Sequence, residues 1–142
     1  MENKFLEFVS SVFGVQVSDI SLDTSYMSLP QWDSVMHLRL VLEIESKYGV
    51  KYSIEEVPRL MTLRDFFNAV RKKEFLSEMG IVLENSNVNF ETVLADIDGW
   101  CSLMAFSVLI MLECKFSAVL SITEFVKCKT IGDVAVAAQV GN

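Results

Sequence analysis

The sequence predicts an all-α protein built as two consecutive four-helix bundles packed together, and three observations predict it. The 142 residues are 51% hydrophobic with only six Gly and two Pro, too apolar for intrinsic disorder and too poor in breakers for a loop-rich scaffold. Apolar residues recur at three- and four-residue spacing, as in helices with one buried face. The chain also matches itself when shifted by 68 residues, without a gap from about residue 22 onward.

The repeat keeps polar and apolar residues in one register. Trp32-Asp33-Ser34-Val35 falls on Trp100-Cys101-Ser102-Leu103, and Ile44-Glu45-Ser46-Lys47-Tyr48 on Leu112-Glu113-Cys114-Lys115-Phe116. Ser53-Ile54-Glu55-Glu56 falls on Ser121-Ile122-Thr123-Glu124, and Thr62-Leu63-Arg64-Asp65 on Thr130-Ile131-Gly132-Asp133. Chance seldom preserves so many matches together. The expected domains are residues 1–72 and 73–142, two copies of a unit of about 70 residues.

In the first copy, Phe5, Phe8, Val9, Val12 and Phe13 predict an opening helix that Gly14 ends. A loop rich in Ser, Asp and Thr follows to Trp32. A second helix is expected from Ser34 to Tyr48, stopped by Gly49, with Val35, Leu38, Val41 or Leu42, and Ile44 facing inward. Ser53 and Glu56 have the form of a capping box, in which a hydroxyl and a carboxylate satisfy each other's free backbone N–H groups. They predict a short third helix that Pro58 keeps brief or bends. Thr62 and Asp65 predict the start of a fourth, through Phe66, Phe67 and Val70. The second copy repeats both cap signals. At the join, the polar run Arg71-Lys72-Lys73-Glu74 leaves little room for a linker, so the last helix of copy one is expected to continue into the first of copy two.

The repeated Trp-x-Ser-apolar at a helix start, the Glu eleven residues after the serine, and the downstream Thr-x-x-Asp helix together resemble the acyl/peptidyl carrier protein family. In that family the serine of a Gly-x-Asp-Ser-Leu type motif carries 4′-phosphopantetheine, covalently attached from coenzyme A. Leu29-Pro30-Gln31-Trp32-Asp33-Ser34-Val35-Met36-His37-Leu38 is similar to the Trp-Asp-Ser-Leu-x-His-Leu pattern of a discrete carrier subgroup. Asp98-Gly99-Trp100-Cys101-Ser102-Leu103 resembles Gly-Trp-Asp-Ser-Leu with Cys101 in place of the Asp. The resemblance implies two bundles of the acyl carrier fold, with Ser34 the main attachment site. Ser102 is a weaker candidate, because the cap carboxylate beside it is lost.

The resemblance further implies a carrier rather than an enzyme. It would hold acyl or aminoacyl groups as thioesters for separate biosynthetic enzymes of lipid or secondary metabolism. Implied partners are a phosphopantetheinyl transferase, a loading ligase, and acyltransferase or synthase enzymes. They would dock on Asp33, Val35, Met36, Arg39 and Glu43. The alternative is a docking module of the same fold with unmodified serines. In it the stretch 103–112, apolar on nearly all sides, is the binding surface, and a homodimer through the second domain is one outcome.

Other readings of the residues are weaker. The net charge is −7, with ten acids against eight bases in residues 1–72 and nine against four in residues 73–142. That argues against a phosphate-backbone binder, since nothing would drive counterion release. The Leu103–Leu112 stretch falls short of the ~20 residues of a membrane span. Met1-Glu2-Asn3-Lys4 leads into an amphipathic stretch, unlike a secretory signal, and three cysteines make no disulfide framework. A cytoplasmic protein is expected. His37 with Ser34 lacks an orienting acid for nucleophilic catalysis. One His with Cys101, Cys114 and Cys128 has no metal-ligand spacing. Glu43, Glu45, Glu55 and Glu56 read as a solvated face.

Overall fold

The computed structural model describes residues 1–141. Among them are six α-helices and no strand beyond two isolated bridges. The helices are α1 (Glu2–Phe13), α2 (Ser34–Tyr48), α3 (Leu63–Val82), α4 (Ser102–Phe116), α5 (Ile122–Phe125) and α6 (Ile131–Ala137). The chain divides into two compact units, Met1–Val70 and Arg71 onward, so the boundary falls inside α3. The polar run at the join is therefore helical and continues the helix begun at Leu63.

In the first unit, α1 buries Phe5, Val9, Val12 and Phe13 on one face. Gly14 ends it with a left-handed φ of 74° and donates its N–H to the Ser10 carbonyl, a conformation that costs glycine little because it has no Cβ. Gly49 closes α2 in the same way at φ 66°.

The buried face of α2 agrees with the expected one at Val41 and Ile44 and differs from it elsewhere. Leu40, Val41 and Ile44 are buried, whereas Val35, Leu38 and Leu42 are 75%, 59% and 66% exposed. The reason is His37. Read as polar, it hid the true stripe of 37, 40, 41, 44 and 48. Its ring lies inside, against Tyr26, Trp32 and Phe66. Trp32 is wholly buried at the centre of this core.

The Ser53–Glu56 capping box forms: Ser53 N–H donates to the Glu56 carboxylate at 2.7 Å, and Glu56 N–H to Ser53 Oγ at 3.2 Å. It closes a turn rather than opening an α-helix, and a 3-10 turn over Val57–Arg59 follows. Pro58 has no N–H to give a longer ladder. Two of the four glutamates expected on a solvated face hold backbone: Glu56 in this box, and Glu45, whose carboxylate accepts the Tyr52 N–H at 2.8 Å. The Tyr52 hydroxyl in turn donates to the Phe66 carbonyl at 3.1 Å.

The long first loop is stitched to the start of α3. Tyr26 N–H donates to Met61 O, Leu63 N–H to Thr24 O, and Arg64 N–H to Leu22 O. Asp65 accepts from the N–H groups of Met61 and Thr62, and Thr62 Oγ1 from that of Asp65.

In the second unit, these bonds recur 68 residues on: Leu94 N–H to Lys129 O, Ile131 N–H to Thr92 O, and Gly132 N–H to Phe90 O. The bridges Ser25–Thr62 and Val93–Thr130 share the same offset. Asp133 likewise accepts from Lys129 and Thr130.

The first helix of this unit follows a different offset, 70. Phe75, Met79 and Leu83 are buried where α1 buries Phe5, Val9 and Phe13. Glu84 takes the left-handed φ of 52° in place of Gly14. Asn85 N–H bonds Gly80 O as Val15 N–H bonds Ser10 O. A loop two residues shorter absorbs the difference, which is why a single shift aligned the halves only from residue 22 onward. The core of this unit is completed by Val108, Met111, Leu112 and Phe116 of α4, Phe125 of α5, and Ile131 and Val134 of α6.

Candidate functional site

Ser34 is the first residue of α2 and is exposed. The residue before it, Asp33, has extended backbone and its Oδ1 accepts the Met36 N–H at 2.8 Å. One of the helix's orphan donors is thereby satisfied and the entry turn is fixed. The free N–H groups and the positive end of the helix dipole still face the solvent around Ser34.

The turn is anchored from below. The Trp32 indole N–H donates to His37 Nδ1 at 3.1 Å, and His37 Nε2 lies 3.3 Å from the Val57 carbonyl oxygen. Trp32 also meets Phe13 at 5.4 Å and Tyr26 edge-on at 6.0 Å between ring centroids. Trp32, two residues ahead of Ser34, is thus held by packing on several sides, and the serine is presented on a rigid corner.

The expected docking residues are not all alike. Val35 projects into solvent, while Met36 is half-buried against the core. Arg39 and Glu43 form an i, i+4 ion pair at 3.9 Å on the exposed face, worth at most a few tenths of a kcal/mol, roughly. Beside them runs an exposed apolar ridge, Val35, Leu38 and Leu42, of which Val35 and Leu38, with Leu42 as the alternative to Val41, were expected to face inward. The signal was present in the i, i+3, i+7 spacing, and only the face was misassigned. Ile54, exposed at 87%, adds another apolar side chain to the surface of this unit.

Ser102 holds the corresponding place as first residue of α4, also exposed. Cys101 is its N-cap and makes no side-chain hydrogen bond to the helix. Trp100 is half-buried, stacked on Phe125 with ring centroids 6.3 Å apart. Ala105 stands where the first unit has His37, so nothing reproduces the indole–imidazole bond. Beside Ser102 opens a cavity of about 700 Å³ with mostly apolar walls.

Other chemistry is sparse. No group of His, Cys, Asp or Glu able to hold a metal ion occurs among the described residues, and none of their helices is long and apolar enough to cross a membrane. Cys101 and Cys114 are exposed thiols. Cys128 is half-buried, and burial, with Asp133 and Glu124 adding to it, pushes its thiol up from the ordinary range, away from a reactive thiolate.

Comparison with known proteins agrees with this geometry. Residues 3–70 match the family described as the phosphopantetheine attachment site. Over 68 residues, 48% of this chain, the protein is 29% identical to an acyl carrier protein of Rhodococcus erythropolis, covering 75% of it. It is equally 29% identical to a meromycolate extension acyl carrier protein of Mycobacterium leprae, covering 59% of that protein. No solved structure matches. The matched family and the two relatives are named for carriage, a phosphopantetheine attachment site and acyl carrier proteins, and not for catalysis. Residues 3–70 are thus similar to the phosphopantetheine attachment domain and to the acyl carrier proteins.

Proposed function

We propose that the chain is a tandem carrier whose working attachment site is Ser34. The observation that carries this reading is the exposed serine at the start of α2, with Asp33 bonded to Met36 N–H beneath it. A phosphodiester formed on the Ser34 oxygen would sit at the positive end of the helix, where free N–H groups and the dipole favour negative charge. The arm would end in a thiol that holds cargo as a thioester. Tethering then raises the cargo's effective concentration at each enzyme on which the domain docks.

The 68-residue correspondence of hydrogen bonds and bridges supports the second unit, over residues 73–142, as a divergent copy of the first. Its Ser102 lacks the carboxylate cap and is read as unmodified. The contact surface for the transferase and for loading and synthase enzymes is Asp33, Val35, Met36, Arg39 and Glu43, to which exposure adds Leu38 and Leu42. Cargo in the acyl class fits the relative named for meromycolate extension. The setting is cytoplasmic.

A second reading keeps the fold without the arm. It is favoured by α4, whose Leu103, Phe106 and Ile110 are exposed, an apolar surface suited to binding another protein. Intact-mass measurement after incubation with coenzyme A and a broad-specificity phosphopantetheinyl transferase separates the two. One addition, lost in Ser34→Ala and kept in Ser102→Ala, is the expected result. Two additions would make both units carriers. No addition, under conditions that modify a control carrier, would leave the docking module.

A further inference from the structure

In the second unit, α4 and α5 turn an apolar face to solvent that carriage on Ser34 leaves unused. Val93, Phe106, Ile122 and Val126 line one opening in the surface, so the three segments that bear them meet there. Leu103 and Ile110 lie three residues before and four after Phe106, the spacing of neighbours on one helix face. All six are between 39% and 73% exposed. Together they present on the order of 700 Å², above the roughly 300–600 Å² of the largest patch on a typical monomer and close to the about 800 Å² that each partner gives to a standard interface.

Charge decides what covers this face. From Ser102 to Leu112, α4 has no charged residue. At the 68-residue offset, Ser107 and Met111 stand where α2 carries the Arg39–Glu43 pair. A lipid surface is disfavoured, because nine acids against four bases in residues 73–142 repel anionic headgroups. A partner selected by charge has nothing on α4 to read. A second copy of the chain fits best. In a two-fold contact each residue near the axis meets its own copy, so any charge there would face a like charge. An uncharged helix face avoids that cost. Lys129 lines the opening, and Glu124 and Lys127 lie either side of Val126 in sequence. These three are exposed and of both signs, as a polar rim requires.

We propose that two copies of the chain associate through this face, α4 against α4 about a two-fold axis, with α2 taking no part. Each copy buries what the other would leave in water, in the manner of interfaces that resemble a domain core cut in half. The proposal stands whether or not Ser34 carries an arm.

The test is the oligomeric state of the unmodified full chain, by sedimentation velocity and light scattering from about 1 to 100 µM, since interfaces of standard size reach µM affinity or better. A species of twice the 16.0 kDa chain mass is expected and none larger, because a two-fold contact closes on itself. Tryptophan emission should shift to shorter wavelength as concentration rises, for Trp100 lines the opening whereas Trp32 is already buried. Phe106→Glu and Ile122→Glu alter exposed side chains. Each should keep the helical circular-dichroism spectrum and raise the dissociation constant by about a hundredfold, the change counting twice in a symmetric contact. Ile54→Glu, at the position equivalent to Ile122 in the first unit, should leave the dimer within about twofold of wild type. Raising salt from about 0.1 to 0.5 M should not dissociate it, because screening removes only the repulsion between acidic units. A monomer at every concentration would overturn the proposal and leave the face to a different protein or a lipid surface. Species that keep growing with concentration would overturn the two-fold geometry. A dimer that survives both Phe106→Glu and Ile122→Glu, or that Ile54→Glu dissociates, would overturn the choice of face, and one lost at high salt would overturn the apolar contact.

Discussion

The indole N–H of Trp32 and Nδ1 of His37 are joined at 3.1 Å inside the first unit, across five residues of sequence. An imidazole that accepts at Nδ1 carries its hydrogen at Nε2, and that nitrogen faces the Val57 carbonyl oxygen at 3.3 Å. The histidine therefore ties Trp32, two residues before Ser34, to the 3-10 turn that replaces a third helix.

His37→Ala would leave the buried Trp32 N–H without its acceptor and open a space among Tyr26, Trp32 and Phe66. The expected loss is about 2–4 kcal/mol, from an unsatisfied buried donor and an imperfectly collapsing cavity. Denaturant unfolding followed by tryptophan fluorescence would read it. A change below about 0.5 kcal/mol, the scale of ordinary surface substitutions, would mean that the bond has no structural role.

Tyr52 supplies a prediction at alkaline pH. Burial, reinforced by the charges of Glu56 and Glu45, pushes its phenol well above the usual tyrosine range. The folded state thus prefers the protonated form. Stability from this group is complete below the unfolded value of about 10 and is lost as pH climbs above it, when only the unfolded chain ionises. Tyr52→Phe should cost about 1 kcal/mol at neutral pH through the lost bond to Phe66 O. It should also flatten the decline between pH 9.5 and 11.5 (a window set roughly by that reference value). An unchanged alkaline slope in the variant would contradict the assignment.

Asp133 supplies the opposite limb. The backbone N–H groups of Lys129 and Thr130 hold its carboxyl below the usual carboxylate range. A depressed folded value means that the contribution is present above the unfolded value of about 4 and lost as pH falls through the folded one. Asp133→Asn should lower the unfolding midpoint of the second unit at pH 7. It should also make that midpoint less sensitive to acidification from about pH 5 to 3. Equal acid sensitivity in variant and wild type would rule the carboxylate out.

The parts of the fold legible in the sequence were those written locally. Gly14 and Gly49 ended helices, Asp33 and Thr62 began them, and the self-match found hydrogen bonds that recur at the same 68-residue offset. What was misread depended on tertiary context. His37 is polar by type and interior by position, so the inward stripe of α2 is right at Val41 and Ile44 but wrong at Val35 and Leu38, which face solvent, as does Leu42, the alternative to Val41. The third helix of the first unit failed because one proline weighs more than a good cap in so short a segment. The cavity left no trace in periodicity, for it arises from the small size of Ala105 facing Trp100. Setting His37 against Ala105 in the repeat was the signal that could have found it.

The contrast between Asp33 and Cys101 gives the most direct test of why the two serines differ. Both residues precede the first residue of a helix with extended backbone, yet only Asp33 accepts a helix N–H. Removing that acceptor in Asp33→Ala should cost about 1 kcal/mol of stability in the first unit. Cys101→Asp should gain a similar amount, about 0.5–1 kcal/mol, by capping α4. The same substitution restores a carboxylate beside Ser102 and completes the Trp-Asp-Ser sequence found at Ser34. If the cap fixes the turn that the transferase reads, Cys101→Asp should add a second arm at Ser102 in the intact-mass measurement, and Asp33→Ala should slow the first. A stabilised Cys101→Asp protein that still takes one arm would separate the two roles. The carboxylate would then serve helix stability alone, and the transferase would be choosing between the units by the surface around α2, where Val35, Leu38 and Leu42 flank Arg39 and Glu43.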